Sequence, residues 1–236
     1  FGKATIMASN AMDRRTFVSQ MTCSLGLLPG ANVLAQTARW CGPQTTQDQP
    51  LRVALISAAS YGTAGQERTS GSNHGTAFAT IFNGWDEDLS QKFSGTFIRS
   101  ARQIPNVSVT KVWDPLPAAA KAMAAACKIE TVCATPEECC SDVDAVILID
   151  DGSGRQWQYA EPALRNHIPV FCDKPLAMTA ADAQKIASLA AETGTKLMSA
   201  SSLRFVPDIV RLREERAALG TIKLAIATGP GKLVYY

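Results

Sequence analysis

Between residues 144 and 200 the chain alternates short apolar runs with longer, helix-forming stretches, and this rhythm restricts the fold more than any other feature. Residues 144–149, Asp-Ala-Val-Ile-Leu-Ile, form a near-continuous apolar run of the kind found in parallel strands buried on both faces. Residues 161–166 read as the end of the helix that follows, and Val170, Phe171 and Cys172 as the next strand. Thr179 with Asp182 three positions on resembles a capping box, the alanine-rich stretch to Glu192 favours helix, and Gly194 suits the position just past a helix end. Residues 196–200 read as a further strand. Strands alternating with helices of this length imply βαβ units with right-handed crossovers, hence an α/β doubly wound parallel sheet.

The strand at 170–172 closes on Asp173, Lys174 and Pro175. A lysine there places a mobile ammonium at the carboxyl edge of the sheet, where open α/β folds bind ligands, and Pro175 fixes the backbone just after it. On these residues alone, a ligand site and an ordinary surface Asp-Lys pair in a strand-to-helix turn stand on equal footing.

With its neighbours, this passage resembles the N-terminal domain of the glucose-fructose oxidoreductase, inositol dehydrogenase and MocA family. That family carries a Glu-Lys-Pro or Asp-Lys-Pro turn after its fifth strand, represented here by Asp173, Lys174 and Pro175, and an Asp-Ala-Val strand like residues 144–146. Downstream, Ser201-Ser202-Leu203-Arg204-Phe205 with Pro207 looks like its Arg-aromatic segment leading into the substrate domain. The resemblance runs roughly from Leu51 to the end of the chain. It implies a Rossmann-like dinucleotide-binding domain over residues 51–200, using NAD or NADP, and the beginning of an α+β substrate domain over 201–236. Lys174 is then the expected catalytic residue. Ser57, His74, Asp114, Asp150, Asp173, Pro175 and Arg204 are the expected cofactor contacts, and no metal is implied.

The cofactor loop departs from the family pattern. Residues 52–58 read as the first strand, but Ser57-Ala58-Ala59-Ser60-Tyr61-Gly62 holds one glycine where a G-x-G-x-x-G turn is expected. The glycines of that fingerprint permit a tight turn and a close approach to pyrophosphate at a helix N-terminus. Here residues 61–73 form a longer polar loop, with the helix expected to start near Gly75 and Ser72 or Asn73 as its cap. His74 stands at that entrance, either lining the site or serving the cap. In the helix after the fourth strand, Gln158 occupies the place where many relatives have a histidine, which puts a typical cofactor-side contact in doubt. His167 reads as a surface residue in the turn into the lysine strand.

Asp114 follows the strand expected at 107–113. A carboxylate there accepts from the ribose 2′-hydroxyl and repels a 2′-phosphate, which favours NAD over NADP. Residues 85–104 lengthen the interval from the first strand, so an insertion is expected. The other reading is that Asp114 simply opens the turn with Pro115.

With 46% apolar residues the chain has ample material for a core, and no stretch outside the leader is apolar for long enough to span a membrane. Its net charge of +2 falls to zero without residues 1–35, which hold Lys3, Arg14, Arg15 and Asp13, so nothing suggests a nucleic-acid partner. Those residues resemble a twin-arginine signal peptide: Asp13-Arg14-Arg15-Thr16-Phe17-Val18, a weakly apolar stretch through Leu28, and a small-residue site ending at Ala35. They imply the twin-arginine export machinery as a partner and a periplasmic or otherwise exported protein, the alternative being an unstructured cytoplasmic arm. That route carries folded proteins, so a nucleotide acquired inside the cell would be retained. Residues 36–50 read as a linker. The cysteines match no standard zinc spacing; Cys139 and Cys140 read as a helix end and Cys172 as core.

Gly220 is expected to end a helix over 207–219, residues 221–228 to begin a strand, and residues 233–236 to start another. A substrate domain has only begun, so the gene product is expected to continue and this stretch alone to be inactive. In the family the second domain covers the nicotinamide and supplies a histidine for proton transfer; contacts to a sugar-like substrate, and any homo-oligomer, belong to the longer product. Three functions are carried forward: an exported NAD(P)-dependent oxidoreductase acting on a sugar or cyclitol hydroxyl, an NAD-dependent glycoside hydrolase of the same fold, and a noncatalytic nucleotide-binding protein.

Overall fold

The computed structural model describes residues 50–58, 73–93, 97–150, 153–224 and 226. The signal peptide, the linker as far as Gln49, Cys23, Cys41, most of the loop after Ser57 and the expected strand at 233–236 lie outside the described residues. The chain divides after Asp48, and the unit Gln49–Tyr236 is the one described below.

Six parallel strands form one sheet: β1 (Leu51–Ser57), β2 (Val107–Trp113), β3 (Thr131–Val132), β4 (Ala145–Ile149), β5 (Val170–Cys172) and β6 (Leu197–Met198). Their order is β3-β2-β1-β4-β5-β6, the doubly wound arrangement, in which the winding reverses between β1 and β4. The helices between them are α1 (Asn73–Asn83), α2 (Glu87–Gln91), α3 (Pro117–Ala126), α4 (Pro136–Cys139), α5 (Gln156–Arg165) and α6 (Ala180–Thr193), followed by α7 (Pro207–Glu214).

Alternation along β1 assigns the two faces. Ala54 and Ile56 join Val146, Leu148, Val170 and Cys172 under α5 and α6, where Tyr159, Ala160, Ala163, Leu164, Ile186 and Ala190 close the layer. Val53 and Leu55 point the other way and meet Ala79 of α1 and Met123 and Ala124 of α3. Both faces are covered, which is why β1 and β4 carry almost no polar residues.

The caps behave as their residue types dictate. Thr179 accepts from the Asp182 N–H at 3.1 Å, and Gly194 takes the left-handed conformation, φ 66°, just past α6. Cys139 ends α4, Cys140 follows it, and Cys172 is fully buried.

The insertion after α1 is packed rather than loose. Thr76 and Thr80, one helical turn apart and both fully buried, hold the incoming segment: Thr76 Oγ1 accepts from the Ile98 N–H at 2.9 Å, and Thr80 Oγ1 donates to the Ile98 carbonyl at 3.1 Å. Phe93 and Phe97 stack edge-on beside α2 at 5.0 Å.

Three expected elements change. The strand at 196–200 contracts to Leu197–Met198, the length its pairing with β5 supports. The helix expected over 207–219 is α-helical only to Glu214, then tightens into a 3-10 turn over Glu215–Leu219. Residues 221–224 form no strand, because no described strand lies beside them to complete a ladder.

Candidate functional site at the carboxyl edge

Because all six strands run the same way, their carboxyl ends share one edge of the sheet. Ser57 is the last residue of β1; Asp114, Asp150 and Asp173 each follow the last residue of β2, β4 and β5. Lys174 and Pro175 come next, joined by a cis peptide bond. The topology thus brings Ser57, Asp114, Asp150 and Lys174 to a common edge, beside the point where the winding reverses.

The three aspartates are buried, at 3%, 1% and 6% exposure, so each must be satisfied locally. Asp150 accepts from the Ser153 N–H at 2.9 Å, from the Ser153 hydroxyl, and from the Arg155 N–H at 3.1 Å, which shapes the entrance to α5. Its carboxylate organises its own loop. Asp114 Oδ1 accepts from the Leu116 N–H at 2.7 Å, the turn expected after β2. Asp173 Oδ2 is hydrogen-bonded to His74 Nδ1, which joins the entrance of α1 to the lysine turn. Ser57 is fully buried and engaged by the protein itself. Lys174 and Pro175 are exposed.

Arg204 follows the carboxyl end of β6. It sits in a 3-10 turn, Ser202–Phe205, within a segment from Ser201 to Leu224 in which every residue but Val210 is exposed. Its guanidinium forms no ion pair among the described residues.

Helix α5 carries two glutamines. Gln158 is exposed and lines a groove of about 460 Å³ between α4 and α5 with Glu137, Glu161, Pro162, Arg165 and Asn166. The residue of this helix that faces the edge is Gln156, which is 1% exposed. Its Nε2 donates to the Asp150 carbonyl at 2.8 Å, while its Oε1 is buried with no hydrogen-bond partner among the described residues. Sequence reasoning missed Gln156. The available signal was its place in the first turn of the helix leaving β4, since side chains there lean back toward the strand ends.

A buried acceptor without a donor costs roughly 1–3 kcal/mol, which a ligand supplying an N–H or O–H would recover. Gln156 Oε1 and the Asp114 carboxylate are hydrogen-bond acceptors by chemistry, of the kind an amide N–H or a ribose hydroxyl needs. These acceptors fit the hydroxyl and amide donors of a dinucleotide. Among the described residues no three His, Cys, Asp or Glu side chains gather as they would around a metal ion.

Residues 68–201 match the family described as an oxidoreductase family with an NAD-binding Rossmann fold, GFO_IDH_MocA. The family model leaves out β1 and the segment after Ser201. Among solved structures the chain is similar to myo-inositol dehydrogenase from Lactobacillus casei in complex with NAD(H) and myo-inositol, with 18% identity, a TM-score of 0.53, and coverage of 72% of this chain and 42% of that one. It is also similar to apo scyllo-inositol dehydrogenase from Lactobacillus casei, at 17% identity, TM-score 0.51 and 73% and 43% coverage. An NAD binding oxidoreductase from Klebsiella pneumoniae gives 21%, 0.50, 72% and 39%. The chain therefore spans about two fifths of the solved structures it resembles. No curated protein sequence matches it.

Proposed function

The chain belongs to the Gfo/Idh/MocA oxidoreductase family and carries its NAD-binding Rossmann fold, and from that premise we propose that the protein transfers hydride between a nicotinamide nucleotide and a hydroxyl-bearing carbon of a sugar or cyclitol. One observation carries the reading: the exposed Lys174 ammonium, the buried Asp114 carboxylate and the unpartnered Gln156 Oε1 belong to the same carboxyl edge. The myo-inositol complex of the Lactobacillus casei neighbour supports the choice of substrate class.

When bound, the nucleotide supplies the hydride acceptor. Asp114 would accept a hydrogen bond from the ribose, which favours NAD over NADP because the same carboxylate repels a 2′-phosphate. Gln156 Oε1 would accept an N–H or O–H from the nicotinamide half. Lys174 would donate a hydrogen bond to the substrate oxygen, so that as hydride leaves carbon and the hydroxyl proton passes to the histidine expected in the second domain, the ammonium would oppose the charge growing on oxygen. Asp173 is held by His74 and stays out of that step.

The test is calorimetric titration with NAD and NADP, followed by turnover of the full-length protein on a panel of sugars and cyclitols. NAD binding with oxidation of at least one polyol is the expected result; failure of the folded protein to bind either nucleotide removes the reading. A noncatalytic nucleotide-binding protein is the second reading, favoured by the single glycine in residues 57–62 and by a family match that begins only at residue 68. Binding by the full-length protein without turnover on any substrate would select it.

We also propose export by the twin-arginine route, supported by the order of Arg14-Arg15, an apolar stretch and a small-residue site ending at Ala35. Replacing both arginines by lysine should abolish delivery to the periplasm. Undiminished delivery would show the assignment to be wrong.

A further inference from the structure

The His74–Asp173 hydrogen bond joins residues 99 apart in the chain. His74 belongs to the first turn of α1 and Asp173 is the first residue past β5. The Asp173 side chain is 8% exposed against 41% for the imidazole, so the carboxylate is the group that needs a partner. The cation nearest in sequence is the adjoining Lys174. It does not pair with Asp173: Lys174 is exposed, and among the described residues its ammonium takes part in no hydrogen bond or ion pair.

We propose that His74 is a positioning residue for Lys174: by occupying the Asp173 carboxylate, the imidazole leaves the neighbouring ammonium unpaired at the ligand-binding edge. An Asp-Lys step at a strand end otherwise invites a local ion pair, which would hold the lysine back over its own turn. Histidine suits the task because its Nδ1–H reaches Asp173 from a helix rather than from the lysine turn itself. A donor at the same distance from the backbone, the Asn side-chain nitrogen, should serve equally. The consequence for catalysis rests on the function proposed above, whereas the state of Lys174 can be read without nucleotide or substrate.

The experiment is trace acetylation of the 236-residue chain with acetic anhydride, with the extent at Lys174 referred to exposed Lys121 by peptide mass spectrometry. His74→Ala frees Asp173 to pair with Lys174, and Lys174 labelling should fall about two- to fivefold, the effect of one exposed ion pair. His74→Asn should stay near wild type. Asp173→Asn, alone or combined with His74→Ala, should keep Lys174 as reactive as in wild type. Should His74→Ala not fold, Asp173→Asn and His74→Asn still decide: a marked fall in either overturns the proposal. So does an unchanged Lys174 in folded His74→Ala. Calorimetry with NAD on the same proteins separates the two ideas, since a wild type that binds no nucleotide defeats the proposed function while leaving the labelling pattern to judge His74.

Discussion

The Gln156 side chain donates from Nε2 to the backbone carbonyl of Asp150 at 2.8 Å while its Oε1 lies buried without a partner among the described residues. Half of the amide is spent on fixing the strand end from which α5 departs. The other half is left for something that arrives there. The Asp150 carboxylate meanwhile organises the loop with Ser153 and Arg155, so backbone and side chain of one residue are both tied down.

Asp150→Ala removes the acceptor for the Ser153 and Arg155 N–H groups and should destabilise the fold by about 1–3 kcal/mol, with Asp150→Asn costing less because one oxygen remains. Urea unfolding of the two variants against wild type measures this. Equal stability for Asp150→Ala would mean that water replaces the carboxylate without loss.

The cysteines should differ in reactivity according to their surroundings. Burial pushes the thiols of Cys127, Cys140 and Cys172 up to about 12, so at neutral pH they hold almost no thiolate. A hydrogen bond between the Cys133 and Cys139 thiols acts in opposite directions: it holds Cys133 below the ordinary thiol value and pushes Cys139 up. Iodoacetamide at pH 7, followed by peptide mapping, should modify Cys133 ahead of Cys127, Cys139, Cys140 and Cys172. As pH rises toward 9 the rate at Cys133 should level off earlier than that of an ordinary thiol. Faster modification of Cys139 than of Cys133 would reverse the assignment.

Much of this was legible in the sequence. Apolar runs at 144–149 and 170–172 gave buried parallel strands, Thr179 and Gly194 bounded α6 where their chemistry places them, and the strand at 107–113 was exact. The lysine turn was legible because proline and charge interrupt an apolar strand. Contacts across the chain were not: no local pattern links His74 to Asp173, and nothing in residues 156–161 reveals which glutamine turns inward until the start of α5 relative to β4 is known. The two-residue strand β3 was passed over, being too short for a period to show. Arg204 was grouped with the site by resemblance alone, and the structure leaves it on an exposed segment.

In the full-length protein Lys174→Ala should reduce turnover about 100- to 10,000-fold while changing nucleotide affinity little, because the ammonium acts on the charge developing at the substrate oxygen rather than on bound nucleotide. Steady-state kinetics with the best polyol substrate, paired with calorimetry, separates the two effects. Unchanged turnover would remove Lys174 from the reaction.

The central claim is that the carboxyl edge holds a nicotinamide dinucleotide with Asp114 on its ribose, and calorimetric titration of wild type and Asp114→Ala with NAD and NADP tests it most directly. The account predicts that wild type prefers NAD and that Asp114→Ala loses about tenfold or more in NAD affinity, the value of a hydrogen bond to a charged group, while its discrimination against NADP shrinks. Folded wild-type protein that binds neither nucleotide, or an Asp114→Ala variant with unaltered affinity for both, would contradict it.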